Sequence, residues 1–224
     1  MSVYIYERID IDGGGRGRFI DLLRGRWANH VEGRYGVRLA GLWATVGSTA
    51  GWPEAALLWE MEDWAHFARA QQDQYPVEDK DAFGTELRAQ ALEYRKYGHS
   101  SLLTPSPFAS ELAQVRVGEA DVYLYEDVRT RPGGMRAYHE ALAGEYLPVA
   151  AERGLQLAGA FCHALQPNTG INLWRLDGWD HWVELMESEQ EHAPTQSWLG
   201  RCAELLDDLD AYLLATPPPQ ALRT

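Results

Sequence analysis

Val3-Tyr4-Ile5-Tyr6-Glu7 returns later in the chain as Val122-Tyr123-Leu124-Tyr125-Glu126, with four of the five positions identical. Self-similarity of this kind is the signature of a duplicated unit. The match continues through Gly14-Gly15 against Gly133-Gly134, Gly36 against Gly154, and Leu39-Ala40-Gly41 against Leu157-Ala158-Gly159. Further on, Trp59, Trp64, His66 and Phe67 answer to Trp174, Trp179, His181 and Trp182. Each copy closes on an apolar segment that runs into proline, Leu102-Leu103-Thr104-Pro105 and Leu213-Leu214-Ala215-Thr216-Pro217. The expected organisation is a first repeat over 1–108, a linker over 109–118, a second repeat over 119–218 and a tail over 219–224.

Periodicity gives the element order within one copy. Residues 3 to 11 alternate as a strand does, with Val3, Ile5, Glu7, Ile9 and Ile11 on one face and Tyr4, Tyr6, Arg8 and Asp10 on the other. Gly13-Gly14-Gly15 makes a turn. Phe19, Leu22, Leu23, Arg26, Trp27 and His30 then form one stripe of a helix ending near Tyr35-Gly36. Strands over 39–46 and 56–61 come next, separated by Gly51-Trp52-Pro53. A helical region opens at Asp63 as N-cap and runs in two pieces to about Tyr97, where Gly98 is expected to stop it before a short strand over 101–104. The order is βαββαβ, twice, so the fold class is α+β: two tandem ferredoxin-like repeats.

Length and composition agree with two domains. The chain has 224 residues, 46% of them hydrophobic, with nine Trp and eleven Tyr, which is a globular composition. Asp and Glu outnumber Lys and Arg by 33 to 20, for a net charge of −13, and the basic residues are scattered. Nucleic acid and an anionic membrane surface are therefore not expected as partners. Two cysteines, Cys162 and Cys202, fit a reduced, cytoplasmic setting rather than a disulfide framework. The N-terminus does not have the pattern of a signal peptide, and no apolar run reaches the length of a membrane span.

A βαββαβ unit that opens on a Tyr-Tyr-Glu strand, turns through glycine, and carries Trp and an acidic residue at the start of its second helix resembles the dimeric α/β-barrel superfamily. In its tandem form it looks like a NIPSNAP-type protein. The resemblance implies that the two antiparallel sheets pair into an α/β barrel. It further implies a substrate class, since relatives include cofactor-free monooxygenases, isomerases and cyclases of polyketide and aromatic metabolism, and haem-binding chlorite-dismutase-like proteins. Fold analogy leaves the reaction open.

Duplication offers an internal test of which residues carry chemistry: positions equal in both copies serve the shared fold, and polar departures are candidates for a site. His66 and His181 read as structural, and the Trp pairs as core and sheet packing. Departures gather in the second hairpin, where Thr45, Leu57 and Glu60 of the first copy become His163, Asn172 and Arg175. A turn centred on Pro167-Asn168 places His163 and Asn172 opposite each other on one sheet face. A neutral imidazole held by an amide in an apolar row would serve as a general base, with a satisfied buried His as the alternative. Arg175 pairs with Glu60 across the repeats, or else holds a carboxylate or enolate oxygen.

Arg26 and His30 form a second group, one turn apart on the first helix; snorkelling is the default for Arg26, and the helix dipole gives His30 an ordinary role. Glu7 and Glu126 interrupt apolar strand faces and are expected to pair with an Arg or a Tyr. On the opposite face, Tyr6 and Tyr125 could donate to a substrate oxygen. The candidate catalytic set is thus His163, Asn172 and Arg175, and the candidate substrate-binding set is Tyr125, Tyr6, Glu126, His30 and Arg26.

Several chemistries have no motif here. The Gly13–Gly17 stretch lacks dinucleotide-binding and Walker spacing, and there is no H-E-x-x-H, paired C-x-x-C or G-x-S-x-G. No metal site and no cofactor are expected, although one of the seven His could serve as an axial ligand to haem. The expectation is a cofactor-independent enzyme of secondary metabolism that acts on a hydrophobic aromatic or polyketide-like molecule by isomerisation, cyclisation or oxygenation. Its alternatives are a haem protein of the chlorite-dismutase-like kind and a non-catalytic NIPSNAP-like binding protein. A further homodimer stays open.

Overall fold

The computed structural model describes residues 1–74, 81–108 and 122–217. The expected linker over 109–118 and the tail over 219–224 lie outside the described residues. Contacts divide the chain into two units, one containing residues 1–102 and the other most of 103–214.

In the first unit, β1 (Val3–Ile11) leads through a 3-10 turn into α1, a continuous helix made of Arg16–Leu22, a π turn Leu23–Trp27, and Ala28–Tyr35. Gly36 ends it with φ of 70°, a left-handed cap that glycine adopts without a Cβ clash. Then come β2 (Arg38–Thr45), β3 (Glu54–Met61), α2 (Trp64–Gln74), α3 (Ala82–Leu92) and β4 (Arg95–Pro105). The second unit repeats the order with β5 (Val122–Thr130), α4, β6 (Gln156–His163), β7 (Thr169–Leu176), α5 (Trp179–Ser188), α6 (Ala193–Leu205) and β8 (Leu206–Ala215). Helix α4 is composed like α1, of Met135–Ala141, a π turn Leu142–Tyr146, and Leu147–Glu152. Within the first unit the hydrogen-bonded strand order is β1-β3-β2 and within the second β5-β7-β6, antiparallel in both.

The alternation read from the sequence places the core. Val3, Ile9, Phe19, Leu42, Leu57 and Met61 are buried together between the helices and one sheet face of the first unit. Each such side chain contributes about 1.5–3 kcal/mol by leaving water. Tyr4, Tyr6 and Leu58 are buried as well, and strand alternation puts them on the other face. Two expectations need correction. The second helical region does not run to Tyr97, because α3 ends at Leu92 and Gly98 lies inside β4, which begins at Arg95 rather than at 101. Gly98 is there for space: a Cβ on it would lie 2.7 Å from Arg95 Nη2 and 3.2 Å from the Arg8 carbonyl oxygen. Of the Trp pairs, Trp59 and Trp174 are buried, but Trp64 and Trp179 are exposed, because each starts an amphipathic helix on its outer side.

Candidate active site

A cavity of about 460 Å³ lies wholly within the first unit, between α1, α2, α3 and the sheet. Its walls are mixed, with Ile5, Trp27, Val31, Trp59 and Met61 among the apolar residues. Its polar residues include the bonded set His30, Tyr35 and Asp81, the bonded pair Glu7 and Ser100, and Gln71, Gln74, Arg88 and Arg95. A concave space where aromatic and aliphatic walls meet convergent polar groups is what a small-molecule site presents.

The π turn decides which α1 residues reach the cavity. An i→i+5 turn inserts one residue into the helical phase and rotates the later residues about the axis. Trp27, His30 and Val31 line the cavity, whereas Arg26 leaves the stripe expected for it. Arg26 instead donates to Gln90 Oε1 at 3.0 Å and Glu86 Oε1 at 3.3 Å on the surface, with its guanidinium 5.3 Å from the Phe83 ring. Its side chain remains about half exposed, so it is a surface group.

His30 does more than sit near a helix dipole. Its Nε2 lies 2.6 Å from Asp81 Oδ2, an oxygen that also accepts from the Tyr35 hydroxyl at 2.8 Å. Asp81 is the N-cap of α3 and accepts the Gly84 N–H on Oδ1 at 2.8 Å. Gly84 has to be glycine for this approach, since a Cβ would meet Asp81 Oδ2 at 2.3 Å and His30 Nε2 at 3.1 Å. Burial raises the Asp81 pKa, but the bonds from Gly84, His30 and Tyr35 outweigh it and lower the carboxyl to about 2. Asp81 is therefore an ionised acceptor near neutral pH. In neutral His30 the Nε2–H must be the donor, which leaves the lone pair on Nδ1.

Glu7 and Glu126 bind indole rather than Arg or Tyr. The Trp59 Nε1–H donates to Glu7 Oε2 and the Trp174 Nε1–H to Glu126 Oε2, both at 2.8 Å. The register explains the choice, because Glu7 lies opposite Leu57 and Glu126 opposite Asn172, with each Trp two residues along the same face. Glu7 takes a second bond from Ser100 Oγ at 3.2 Å and faces the cavity. Glu126 takes a second bond from Asn172 Nδ2 at 2.9 Å, and Asn172 Nδ2 also lies 2.6 Å from the Tyr138 hydroxyl. Burial raises the Glu126 pKa against the lowering effect of its two donors.

In the second unit the positions equivalent to Trp27 and Trp59 are Tyr146 and Trp174, which belong to a cluster of rings. Tyr146 stacks on Trp198 with centroids 5.0 Å apart and meets Trp174 edge-on at 5.5 Å, while Tyr138 tilts against Trp198 at 6.1 Å.

The hairpin set does not assemble as expected. Asn172 lies opposite Ala160, not His163, and His163 lies opposite Leu103 of β4. The turn does centre on Pro167-Asn168, with the Thr169 N–H on Gln166 O, but the strands do not pair in the register of a two-residue hairpin: Gly170 lies opposite Cys162 where such a hairpin would put Leu165, so the loop between the strands is longer. By alternation His163 and Asn172 fall on opposite faces. Burial lowers the His163 pKa and leaves its Nε2 without a partner. Glu60 is satisfied within its own unit, by the Tyr4 hydroxyl at 2.9 Å and by Arg38 Nε at 2.8 Å. Arg175 stands on β7 opposite Tyr123. Tyr6 and Tyr125 are buried, and Tyr125 stacks on Tyr212 at 4.5 Å.

His66 and His181 act alike. Each Nε2 lies 2.7 Å from the carbonyl at the end of the preceding helix, Tyr35 O or Arg153 O, and each Nδ1 accepts a backbone N–H at 3.3 or 3.2 Å. They tie helix ends down, as positions shared by both copies should. Among the described residues no three His, Cys, Asp or Glu gather as a metal would require. For haem, the imidazole of this cavity is His30, whose Nε2 Asp81 already holds, so only Nδ1 would be left for iron.

Comparison with solved structures extends over nearly the whole chain. A putative monooxygenase from Lactobacillus acidophilus superposes with a TM-score of 0.62 at 8% identity, covering 96% of this chain and 93% of that one. An anthrone oxidase-like protein gives 0.58 at 10%, covering 100% and 97%, and a putative chlorite dismutase 0.56 at 8%, covering 98% and 96%. The likeness is one of fold. No protein-family model matches the chain, and none of the curated proteins matches it in sequence. Among the described residues no helix is long and apolar enough to cross a membrane.

Proposed function

We propose that the chain is an enzyme that moves a proton on a hydrophobic, aromatic or polyketide-like molecule held in the first-unit cavity, with His30 as base and Asp81 as the residue that orients it. The observation that carries this reading is the His30–Asp81 bond at the wall of a cavity that Trp27, Trp59 and Met61 also line. His30 Nδ1 would take a proton from a carbon activated by a neighbouring carbonyl, whose electron pair moves onto the carbonyl oxygen to give an enolate. The ionised Asp81 stabilises the imidazolium that results. Return of the proton to another carbon, or attack of the carbanion on a carbonyl of the same molecule, completes an isomerisation or a cyclisation without a further reactant. The walls formed by Trp27, Trp59 and Met61 suit a ring system and keep water from the enolate. Proteins of similar fold carry the names putative monooxygenase and anthrone oxidase-like protein, and anthrone is an aromatic ketone of the class proposed.

Anthrone, with its acidic methylene next to a diaryl ketone system, is a suitable probe. In deuterated buffer the protein is expected to accelerate deuterium exchange at that methylene, followed by NMR. His30→Ala should reduce the acceleration by about 10²–10⁴-fold, the usual share of a general base. An unaccelerated exchange, or a His30→Ala protein as fast as the parent, would remove His30 from this role. His163→Ala serves as the comparison and is expected to retain activity.

A further inference from the structure

The cavity carries two guanidinium groups that its chemistry as a base site does not use. Arg88, on α3, and Arg95, the first residue of β4, both line it. Neither makes an ion pair or a hydrogen bond with another described residue. The carboxylates of the same cavity are otherwise engaged: Glu7 by Trp59 and Ser100, Asp81 by His30, Tyr35 and Gly84.

The second copy shows that the fold has no need of these charges. Asp81 and His192 are equivalent N-caps, each accepting the N–H three residues on, from Gly84 and from Thr195. Counting equally from the two caps, Arg88 answers to Leu199, and Arg95 answers to Leu206, itself the first residue of β8. His30 answers to Val149 by the same repeat that aligns Glu7 with Glu126, and Leu87 answers to Trp198, which takes part in the ring cluster. The copy with packed rings carries leucine where the copy with this cavity carries arginine.

We propose that the cavity selects a hydrophobic ligand bearing a planar oxyanion, a carboxylate by preference, which Arg88 and Arg95 hold while its ring system lies against Trp27 and Trp59. Guanidinium groups match carboxylates with paired N–H donors, and such charge-assisted bonds are stronger than neutral ones. This deepens the proposed function by naming the substrate class of the same site, and it rests on that reading only for the location of the ligand.

Titration calorimetry with 2-naphthoate and its neutral counterpart 2-naphthamide tests it. The intact protein is expected to bind 2-naphthoate at least about tenfold more tightly than the amide, the order of a charge-assisted bond over a neutral one. Arg88→Leu and Arg95→Leu, which install the residues of the second copy, should each remove most of that preference, and Arg88→Gln should do so with less change of shape. Circular dichroism of each variant guards against loss of fold. Equal affinity for the two probes, no binding of naphthoate at millimolar concentration, or folded arginine variants that retain the preference would overturn the proposal. His30→Ala separates the two readings, since it should keep naphthoate binding while losing proton transfer. Binding without His30-dependent exchange removes the catalytic reading alone, and exchange without anion preference removes this one alone.

Discussion

Asp81 shows how a single side chain can hold a site together. It caps α3 through Gly84, accepts from Tyr35 and fixes His30, all through one carboxylate. Its folded pKa of about 2 lies below the roughly 3.9 of an unfolded Asp, so the stability it contributes is present above about pH 4 and is lost as pH falls towards 2. Asp81→Asn is therefore expected to melt at a lower temperature than the parent at pH 6, with the two melting curves converging between about pH 4 and 2. Thermal denaturation at stepped pH checks this, and a constant offset across that range would contradict it. Neither Tyr35 nor His30 could be read from Asp81 in the sequence, because they lie 46 and 51 positions away and a charge in a loop has many fates. Glu7 and Glu126 were visible as carboxylates on an apolar strand face; that their donors are Trp59 and Trp174 is a consequence of strand register, which periodicity leaves open.

At the scale of elements, the same βαββαβ plan produces one helix layer around the cavity of the first unit and one whose equivalent positions carry packed rings. The first helices are alike even to their π turns, Leu23–Trp27 and Leu142–Tyr146, and the difference lies in what the last helix presents: Leu87 from α3, Trp198 from α6. Trp198 is 8% exposed and stacked within an angle of 10° on Tyr146, so it is a core residue of α6. Trp198→Ala is expected to cost about 3–5 kcal/mol of stability in urea unfolding, as large-to-small core changes do. Trp27→Ala, which removes a ring from a wall that already faces space, should cost clearly less. A Trp198→Ala penalty no larger than that of Trp27→Ala would show that the ring cluster is not the packed core described. The strands and the first helix were legible because period two and period 3.6 leave clear marks. The π turn left none, and for that reason Arg26 and His30, which an ideal helix puts on one stripe, part company in the fold.

For the molecule as a whole, the charge of −13 and a sequence pI near 4.9 set how it meets other macromolecules. At pH 7.5 and about 0.1 M salt it is expected to give no mobility shift of duplex DNA at micromolar concentration, because long-range repulsion opposes the approach of a polyanion. A shift under those conditions would contradict this. The duplication, its βαββαβ order, the strand faces and the structural role of His66 and His181 were determined by the sequence alone, since they depend on local periodicity and on a comparison the chain makes with itself. Which copy carries the packed rings, that His30 rather than His163 meets a carboxylate, and that Arg88 and Arg95 line a common cavity were decided only by tertiary structure. Register, a π turn and the size of one facing side chain fix these, and each is a property of elements packed together, set by contacts between residues far apart in the chain.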